Sequence, residues 1–433
     1  MIRTAFQSDK TKLDRPQALK IALVGFGTVG SAVARLLHAR RDEPALELTH
    51  ICNRDVQRKK ASWVSDRVSW TDDIQEVLRS DVAVVAELIG GLRPAYDWVR
   101  RALEAGKSVV TANKQLIARH GSELIELARR NGQQLAFGAC VGGGIPVLSG
   151  LSQGLAGDRL FKISGILNGT CNYILTRIES GVSFADALKE AQAAGFAEAD
   201  PTDDIDGFDA RAKLAILVWV GLKAQVLPEN VLCRSIRNLS VIDFEYAHEL
   251  GCTIRQVSRA ELRDGKLLLT VEPTLVSRHS PLAAVEGGEN LIVSTGEFGG
   301  ETVFSGLGAG GNPTAVAVVS DLLQIARYPL PQPAESDGAV AALSEVSSDF
   351  ETPQYLRLVV KDSPGIIAGL AGILSKHDIS IDAVFQKSGH DKAALPFVIT
   401  LEATKNSRAE AALSEIKKSS FLIEAPLRMP ILR

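Results

Sequence analysis

Six carboxylates precede one lysine between Glu198 and Lys213, in the run EADPTDDIDGFDARAK, and an apolar stretch follows. Three chemistries suit such a run. As an EF-hand calcium loop with Gly207 at position 6, it would set Thr202, Asp204 and Asp206 at positions 1, 3 and 5. Position 12, which needs a bidentate glutamate, would be Lys213. A cation there excludes the loop. As a helix start, the acids would offset the positive end of the dipole, with Asp206 as cap. Asp209 and Lys213, four apart, would then be a surface pair worth about 0.2–0.5 kcal/mol. As a catalytic segment, Asp209 would orient the ammonium of Lys213 from one helical turn away. Glu198 and Asp204, on the preceding loop, would meet a cationic group of a substrate. A lysine so placed can take the proton of an alcohol as hydride leaves its carbon, provided its pKa falls from ~10.4 toward the working pH. A dehydrogenase acting on an amino acid needs both devices. The capping and catalytic readings stay open on these residues alone.

A second chemical signal lies in VGFGTVG, which sets Gly25, Gly27 and Gly30 in a G-x-G-x-x-G pattern. It follows an apolar strand and opens a helix, the context a dinucleotide site requires. Gly25 allows the tight turn, Gly27 lets the backbone approach a pyrophosphate, and Gly30 lets helix and strand pack closely. The helix N-terminus faces the phosphates, with Phe26, Thr28 and Val29 completing the cradle. The second strand ends ICNRD. Asn53 and Arg54 stand where an acid would hold NAD ribose hydroxyls, with Arg58, Lys59 and Lys60 behind and Asp55 slightly late. A guanidinium there suits a 2′-phosphate, so NADP is expected, with NAD as the alternative. The plainer reading of Arg54 is a solvated surface arginine.

These residues need a scaffold. The chain has 433 residues, enough for two or three domains, and 45% apolar content with a net charge of -3 describes an ordinary globular protein. No Lys/Arg-rich cluster with interleaved aromatics predicts a nucleic-acid surface. No apolar stretch reaches the ~18 residues of a membrane span, and the first twenty residues lack an apolar signal core. The five cysteines, Cys52, Cys140, Cys171, Cys233 and Cys252, are scattered. Reduced thiols in a cytoplasmic protein are the expectation.

From Ile21 to about Ile145 short apolar strands (IALVG, LELTHICN, VAVVAELIG, KSVVTA, QQLAFGA) alternate with helices, which predicts a Rossmann-type parallel sheet. Helices and then hairpin strands follow, with Asp264-Gly265 as a turn pair, giving an α+β unit. Its last helix is expected to open with Asn312 as cap and Pro313 in the first turn. Tyr328–Gly338 is proline-rich and reads as a linker. The remainder reads βαββαβ, the ferredoxin-like order. The expected division is 1–145 for cofactor binding, joined by a returning helix 312–327; 146–311 for substrate, catalysis and dimerisation; 328–350 as linker; and 351–433 as a third domain.

The run Ala191–Lys213 resembles the signature of the homoserine dehydrogenase family throughout. ILNGTCNYIL (Ile166–Leu175) is similar to a second family motif, with Cys171 where threonine is usual. ELIGG (Glu87–Gly91), TANK (Thr111–Lys114), GGGIPV (Gly142–Val147) and GLGAGGNPTA (Gly306–Ala315) fit as well. The resemblance covers about Ile21 to Arg327. The last unit resembles an ACT domain, with DSPGIIAGLAGIL (Asp362–Leu374) as its first loop and helix.

The resemblance implies NAD(P)-dependent interconversion of L-homoserine and L-aspartate 4-semialdehyde, on the route to threonine and methionine. It maps the catalytic acid/base onto Lys213, its helper carboxylate onto Asp209, and substrate-ammonium ligands onto Glu198 and Asp204. Lys114 maps onto a lysine reaching cofactor and substrate, and is the alternative proton carrier. Many members carry a glutamate, part of a monovalent cation site for Na+ or K+, where this chain has Gly138. The carbonyls of Val141, Gly143 and Ile145 remain as ligands, so weak cation dependence is expected. The ACT unit implies a threonine effector and a homodimer or homotetramer, and is expected to be dispensable for chemistry. Two rivals are an aspartate-semialdehyde dehydrogenase, which needs a nucleophilic cysteine such as Cys140 or Cys171, and a non-catalytic amino-acid sensor, which would not turn over homoserine.

Overall fold

A computed structural model describes residues 18–40, 45–328 and 346–432. The stretch read as a linker therefore lies outside the described residues except at its two ends.

Parallel strands with apolar residues on both faces must be covered by helices on both sides. That is what the first third of the chain builds. Among the described residues its six strands run, across the sheet, Ser69–Thr71, Leu46–Cys52, Leu19–Val24, Val84–Glu87, Ser108–Thr111 and Leu135–Ala136. Counted along the chain this is 3-2-1-4-5-6, with the order reversing at Leu19–Val24, where a dinucleotide binds in such sheets. The strand Ser69–Thr71 is absent from the sequence reading because three residues carry no readable period. The Gly311–Arg327 helix, far along the chain, sinks Ala315, Val318, Val319, Leu322 and Ile325 into the same core as Ile21, Leu23 and Val33.

Asn312 is not the cap of that helix. Gly310, at φ 120°, occupies the cap position without a side-chain bond, and Asn312 and Pro313 lie inside the first turn. Asp206 is likewise not the cap of the Phe208–Leu222 helix. Gly207, at φ 85°, holds that position in the left-handed region. The Asp206 carboxylate instead accepts from Ser235 and Arg237.

The second sheet is mixed and larger, with eleven strands among the described residues. Its centre is the hairpin Cys252–Arg263 and Lys266–Ser277, closed by Asp264 (φ 51°) and Gly265 (φ 75°). Paired left-handed residues are the preferred closure of a two-residue hairpin. The Phe208–Leu222 helix packs on this sheet and from Leu214 to Val218 is apolar and buried without a break, as a helix segment buried all round must be.

The βαββαβ unit is not a separate bead. Its last strand, Leu427–Leu432, pairs antiparallel with Glu351–Val360 on one side and parallel with Lys266–Ser277 on the other. One sheet thus runs through both units. Tyr355, Met429 and Ile431 share a core with Cys171, Ile174 and Phe244. Cutting the chain at the linker would strip a strand from this sheet and uncover that core. No helix among the described residues is long and apolar enough to cross a membrane.

The glycine loop generates a direct test. A Cβ on Gly30 would stand 2.2 Å from the Gly25 carbonyl oxygen, a backbone atom that cannot step aside. Gly30→Ala is therefore expected to push helix from strand, costing about 1–3 kcal/mol and weakening NADPH binding at least tenfold. Thermal unfolding and NADPH fluorescence titration check it; unchanged values in both would show that the loop yields.

Candidate active site

Three loops end at one point. The first is the TANK turn. Thr111 closes its strand and donates its hydroxyl to Glu87 at 2.6 Å. Asn113 then caps the Lys114–Arg130 helix, accepting from the Leu116 N–H at 3.1 Å, and donates to the Gly91 carbonyl at 2.6 Å. This leaves Lys114 as the first helical residue, at the positive end of a helix dipole, where a cation needs a nearby anion. The anion comes from the second loop.

Asp209 and Lys213 lie on one face of the Phe208–Leu222 helix, as their spacing requires, but not on the surface. Both are buried. The surface-pair reading fails here, because both side chains are covered, at 10% and 9% exposed. Lys213 Nζ donates to Asp209 Oδ2 at 2.7 Å and to the Leu167 carbonyl at 2.7 Å. Lys114 Nζ meets the other oxygen, Asp209 Oδ1, at 2.9 Å. One carboxylate thus holds an ammonium on each oxygen. Burial alone would raise the Asp209 pKa; the charges and hydrogen bonds of Lys213 and Lys114 outweigh it and hold the group well below the usual carboxylate range. In return the Asp209 charge raises Lys114, against the opposing effect of burial.

The third loop is ILNGT. Asn168 caps the Gly169–Glu179 helix through Oδ1, which accepts from the Cys171 N–H at 2.8 Å. Its Nδ2 donates to Asp204 Oδ1 at 2.7 Å and Asp209 Oδ2 at 2.8 Å. Asn290 adds a bond from Nδ2 to the Leu167 carbonyl at 3.1 Å, beside Lys213. Sequence reasoning placed Lys213, Asp209, Lys114 and Asp204, and these four come together. It missed Asn168 and Asn290. Asn168 stood in a quoted motif, just before a helix, where asparagine reads as a cap; nothing local marked Asn290. Glu198 stands apart and exposed; among the described residues no hydrogen bond or ion pair joins its carboxylate to the cluster, and its backbone carbonyl accepts from Gln192 at 3.1 Å.

The glycine loop opens onto a cleft of about 820 Å³ at the carboxyl ends of the first sheet's strands, lined by Gly25, Phe26, Gly27, Asn53, Arg54 and Lys59 among others. Gly25, at φ 106°, takes the turn, and a Cβ on Gly27 would meet nothing, so the cleft floor is open backbone. The loop is tied to the second strand by Gly25 N–H to the Cys52 carbonyl at 2.8 Å and Phe26 N–H to Asn53 Oδ1 at 3.1 Å. Asn53 therefore shapes the loop. Asp55 caps the next helical turn by accepting from the Arg58 N–H, while Arg54 is exposed on the cleft wall. Arg93, paired with Asp97, lines the same cleft and was not singled out from sequence. Thr28 and Val29 begin the Thr28–Ala39 helix behind the loop. An open backbone floor, a helix N-terminus and arginines suit a phosphate-bearing dinucleotide.

The loop proposed for a cation is a partial fit. The Ile145 carbonyl accepts from the Val147 N–H at 2.8 Å, while the carbonyls of Val141 and Gly143 take no such bond among the described residues. Among these residues no group of three or more His, Cys, Asp or Glu is arranged to hold a metal ion. Where a glutamate side chain would begin, Asp321 reaches in from the Gly311–Arg327 helix and accepts from the Gly138 N–H at 2.8 Å. Burial pushes its carboxyl up to about 7. Cys140 and Cys171 are buried, and burial pushes both thiols well above their ordinary range. Neither has the lowered pKa and exposure of an activated thiolate, so neither supports the cysteine chemistry of an aspartate-semialdehyde dehydrogenase.

Residues 146–323 match the family model described as homoserine dehydrogenase, residues 25–138 that of homoserine dehydrogenase, NAD binding domain, and residues 354–420 that of the ACT domain. The chain is 38% identical over 426 residues to the homoserine dehydrogenase of Synechocystis, covering 94% of this chain and 98% of that one. It is 36% identical to that of Bacillus subtilis, covering 92% and 94%. The crystal structure of a homoserine dehydrogenase from Thiobacillus denitrificans superposes with a TM-score of 0.89 at 33% identity, over 96% of this chain and 98% of that one. A hyperthermophilic archaeal homoserine dehydrogenase in complex with NADPH superposes at 0.62 with 29% identity, over 73% of this chain and 99% of that one.

The Asp321 carboxyl gives a pH-dependent prediction. A carboxyl whose pKa is raised on folding binds its proton more tightly in the folded chain. Its ionisation costs the folded state nothing below about pH 4 and the full amount above about pH 7. Asp321→Asn removes that cost. The variant is expected to melt several degrees above the parent at pH 8 and within about two degrees at pH 5. A melting difference independent of pH would mean that Asp321 stays ionised throughout, as it would beside a bound cation.

Proposed function

The chain belongs to the homoserine dehydrogenase family, and from that premise we propose how its residues divide the work. The enzyme interconverts L-homoserine and L-aspartate 4-semialdehyde with a nicotinamide cofactor, a step in making threonine and methionine. A bound nicotinamide supplies the hydride acceptor. In our reading Lys213, in its neutral amine form, keeps its two N–H bonds to Asp209 and the Leu167 carbonyl and takes the proton from the homoserine hydroxyl on its lone pair as the carbonyl forms, and as the ammonium returns it in the reverse direction. The observation that carries this reading is the Asp209 carboxylate gripping Lys213 and Lys114 at 2.7 and 2.9 Å. It fixes two ammonium groups where the domains meet, one to move a proton and one to bind at the cofactor edge. Asp204 and Glu198 receive the substrate ammonium.

We further propose that NADP is preferred, held by the Gly25–Gly30 loop at its pyrophosphate and by Arg54 at its 2′-phosphate. Cation dependence is weak, because Gly138 offers no side chain and, of the carbonyls of Val141, Gly143 and Ile145, the last is already bonded to the Val147 N–H. An amino-acid effector, threonine in our reading, sits at the Asp362–Gly365 turn of the ACT domain, beside a cavity of about 280 Å³ that Ile366, Gln386 and Phe397 also line. The working division is 1–145 with helix 312–327, then 146–311, then 351–433. The enzyme works in the cytoplasm as a homodimer or homotetramer.

Steady-state kinetics test the roles. Lys213→Ala is expected to lower kcat by about 10²-fold or more with NADP affinity kept, since the phosphates are held elsewhere. If Lys114→Ala takes the larger kcat loss, the proton belongs to Lys114. Glu198→Gln should raise KM for homoserine more than it lowers kcat.

Arg54→Ala is expected to raise KM for NADP about tenfold and leave NAD within about twofold, the scale of one lost charge-assisted bond. Equal losses with both cofactors would reduce Arg54 to a surface arginine.

A further inference from the structure

Asp204, half-buried, and Asp209, buried, are two carboxylates in one site, and neither is joined to the other by a lysine alone. The group between them is neutral. Asn168 spends both protons of its Nδ2 there, one on Asp204 Oδ1 at 2.7 Å and one on Asp209 Oδ2 at 2.8 Å. The second acceptor is the same oxygen that receives Lys213. The amide cannot turn away, because Oδ1 accepts the Cys171 N–H at 2.8 Å, and the residue is 4% exposed. An asparagine used only as a cap would leave its NH2 to water.

We propose that Asn168 is a positioning residue for the reaction, spacing the carboxylate that meets the substrate ammonium from the carboxylate that holds the two lysines. The proposal rests on the roles given above to Asp204 and Asp209. Its electrostatic sense follows from the surroundings of Asp204. Burial raises Asp204 first, the bond from Asn168 opposes it, and the charge of Asp209 raises it further. Lys213 of the Phe208–Leu222 helix and Lys114 of the Lys114–Arg130 helix lower it. Cys171 of the Gly169–Glu179 helix faces it as a thiol, donating to the Asp204 carbonyl at 3.1 Å, and Asp203 and Asp206 flank it in its own turn. Without the amide, Asp204 would protonate at higher pH and lose its hold on an ammonium.

Two variants keep the helix cap and remove the bridge. Asn168→Ser keeps an acceptor for the Cys171 N–H and loses both donations. Its KM for homoserine is expected to rise about tenfold near pH 6.5 and about twofold near pH 9, the acid limb of kcat/KM moving to higher pH. Asn168→Asp also keeps the cap but puts a third carboxylate between the other two. Its defect should grow as pH rises, the opposite slope. A residue that merely caps a helix would give neither slope. If both variants, folded by thermal unfolding, follow the parental pH profile within twofold, Asn168 is a cap and the proposal is wrong. Asp204→Asn, measured in parallel, separates the two levels. If it raises KM while the Asn168 variants stay parental, this proposal alone falls. If it leaves KM unchanged, the role of Asp204 falls, and the proposal with it.

Discussion

Asp209 touches both halves of the site, and the rest of the structure is arranged around the cost of burying it. A carboxylate taken out of water is expensive unless its charge is met and its lone pairs are filled. Here one oxygen takes Lys213 and Asn168 and the other takes Lys114. Lys114 belongs to a helix of the cofactor domain and Lys213 to a helix of the substrate domain. The same ion cluster that neutralises Asp209 therefore fixes the approach of the two domains. With Asp204 included, two carboxyl groups and two lysine side chains meet in one cluster, tied together by Asn168.

The third domain is attached by the same kind of device. Asp243 is fully buried, closes the capping box of the Val241–Glu249 helix, pairs with Arg357 at 2.8 Å and accepts from the Tyr355 hydroxyl at 2.9 Å. Arg428, on the last strand, reaches Glu410 within its own domain and Glu272 of the substrate domain, and Arg234 bonds both glutamates from the other side. Breaking one partner of such a pair leaves a buried charge unmet. A proline-rich stretch suggested a tether. The shared sheet, the shared core and these charges make a fixed joint. The helix that carries Asn168 at its start and the helix that carries Asp243 pack into one core with Tyr355 and Met429.

What could be read from the sequence was what is local. The turn at Gly25 and the close contact of Gly30 with the Gly25 carbonyl are local and hold in the structure, and the backbone at Gly27 is open. The Asp209–Lys213 spacing gave one helical face, but burial was invisible, because it depends on which elements cover the helix. The missing glutamate at Gly138 was visible, whereas Asp321, 183 positions along the chain, was not. Asn168 was hidden differently. As a cap it was readable, but its free NH2 is defined by carboxylates 36 and 41 positions away. The failed assignments of Asn312 and Asp206 as caps share a cause. In both places a glycine in a positive-φ conformation starts the helix, and a neighbouring polar residue looks better on propensity alone.

The choice between the two lysines has a geometric side. An ammonium carries three N–H bonds. Lys213 commits two of them, to Asp209 Oδ2 and to the Leu167 carbonyl, and both acceptors are themselves held by asparagines: Asn168 on the carboxylate and Asn290 on the carbonyl. With two bonds fixed, the third direction is fixed as well. Lys114 has Asp209 on one side, and its side chain is 36% exposed against 10% for Lys213. A group that must deliver or accept a proton along one line gains from having nowhere else to point, since no reorganisation is then required as the charge moves. A group that must follow a cofactor and a substrate in and out gains from a long stem and one anchor. On this geometry Lys213 suits the proton and Lys114 suits the binding edge.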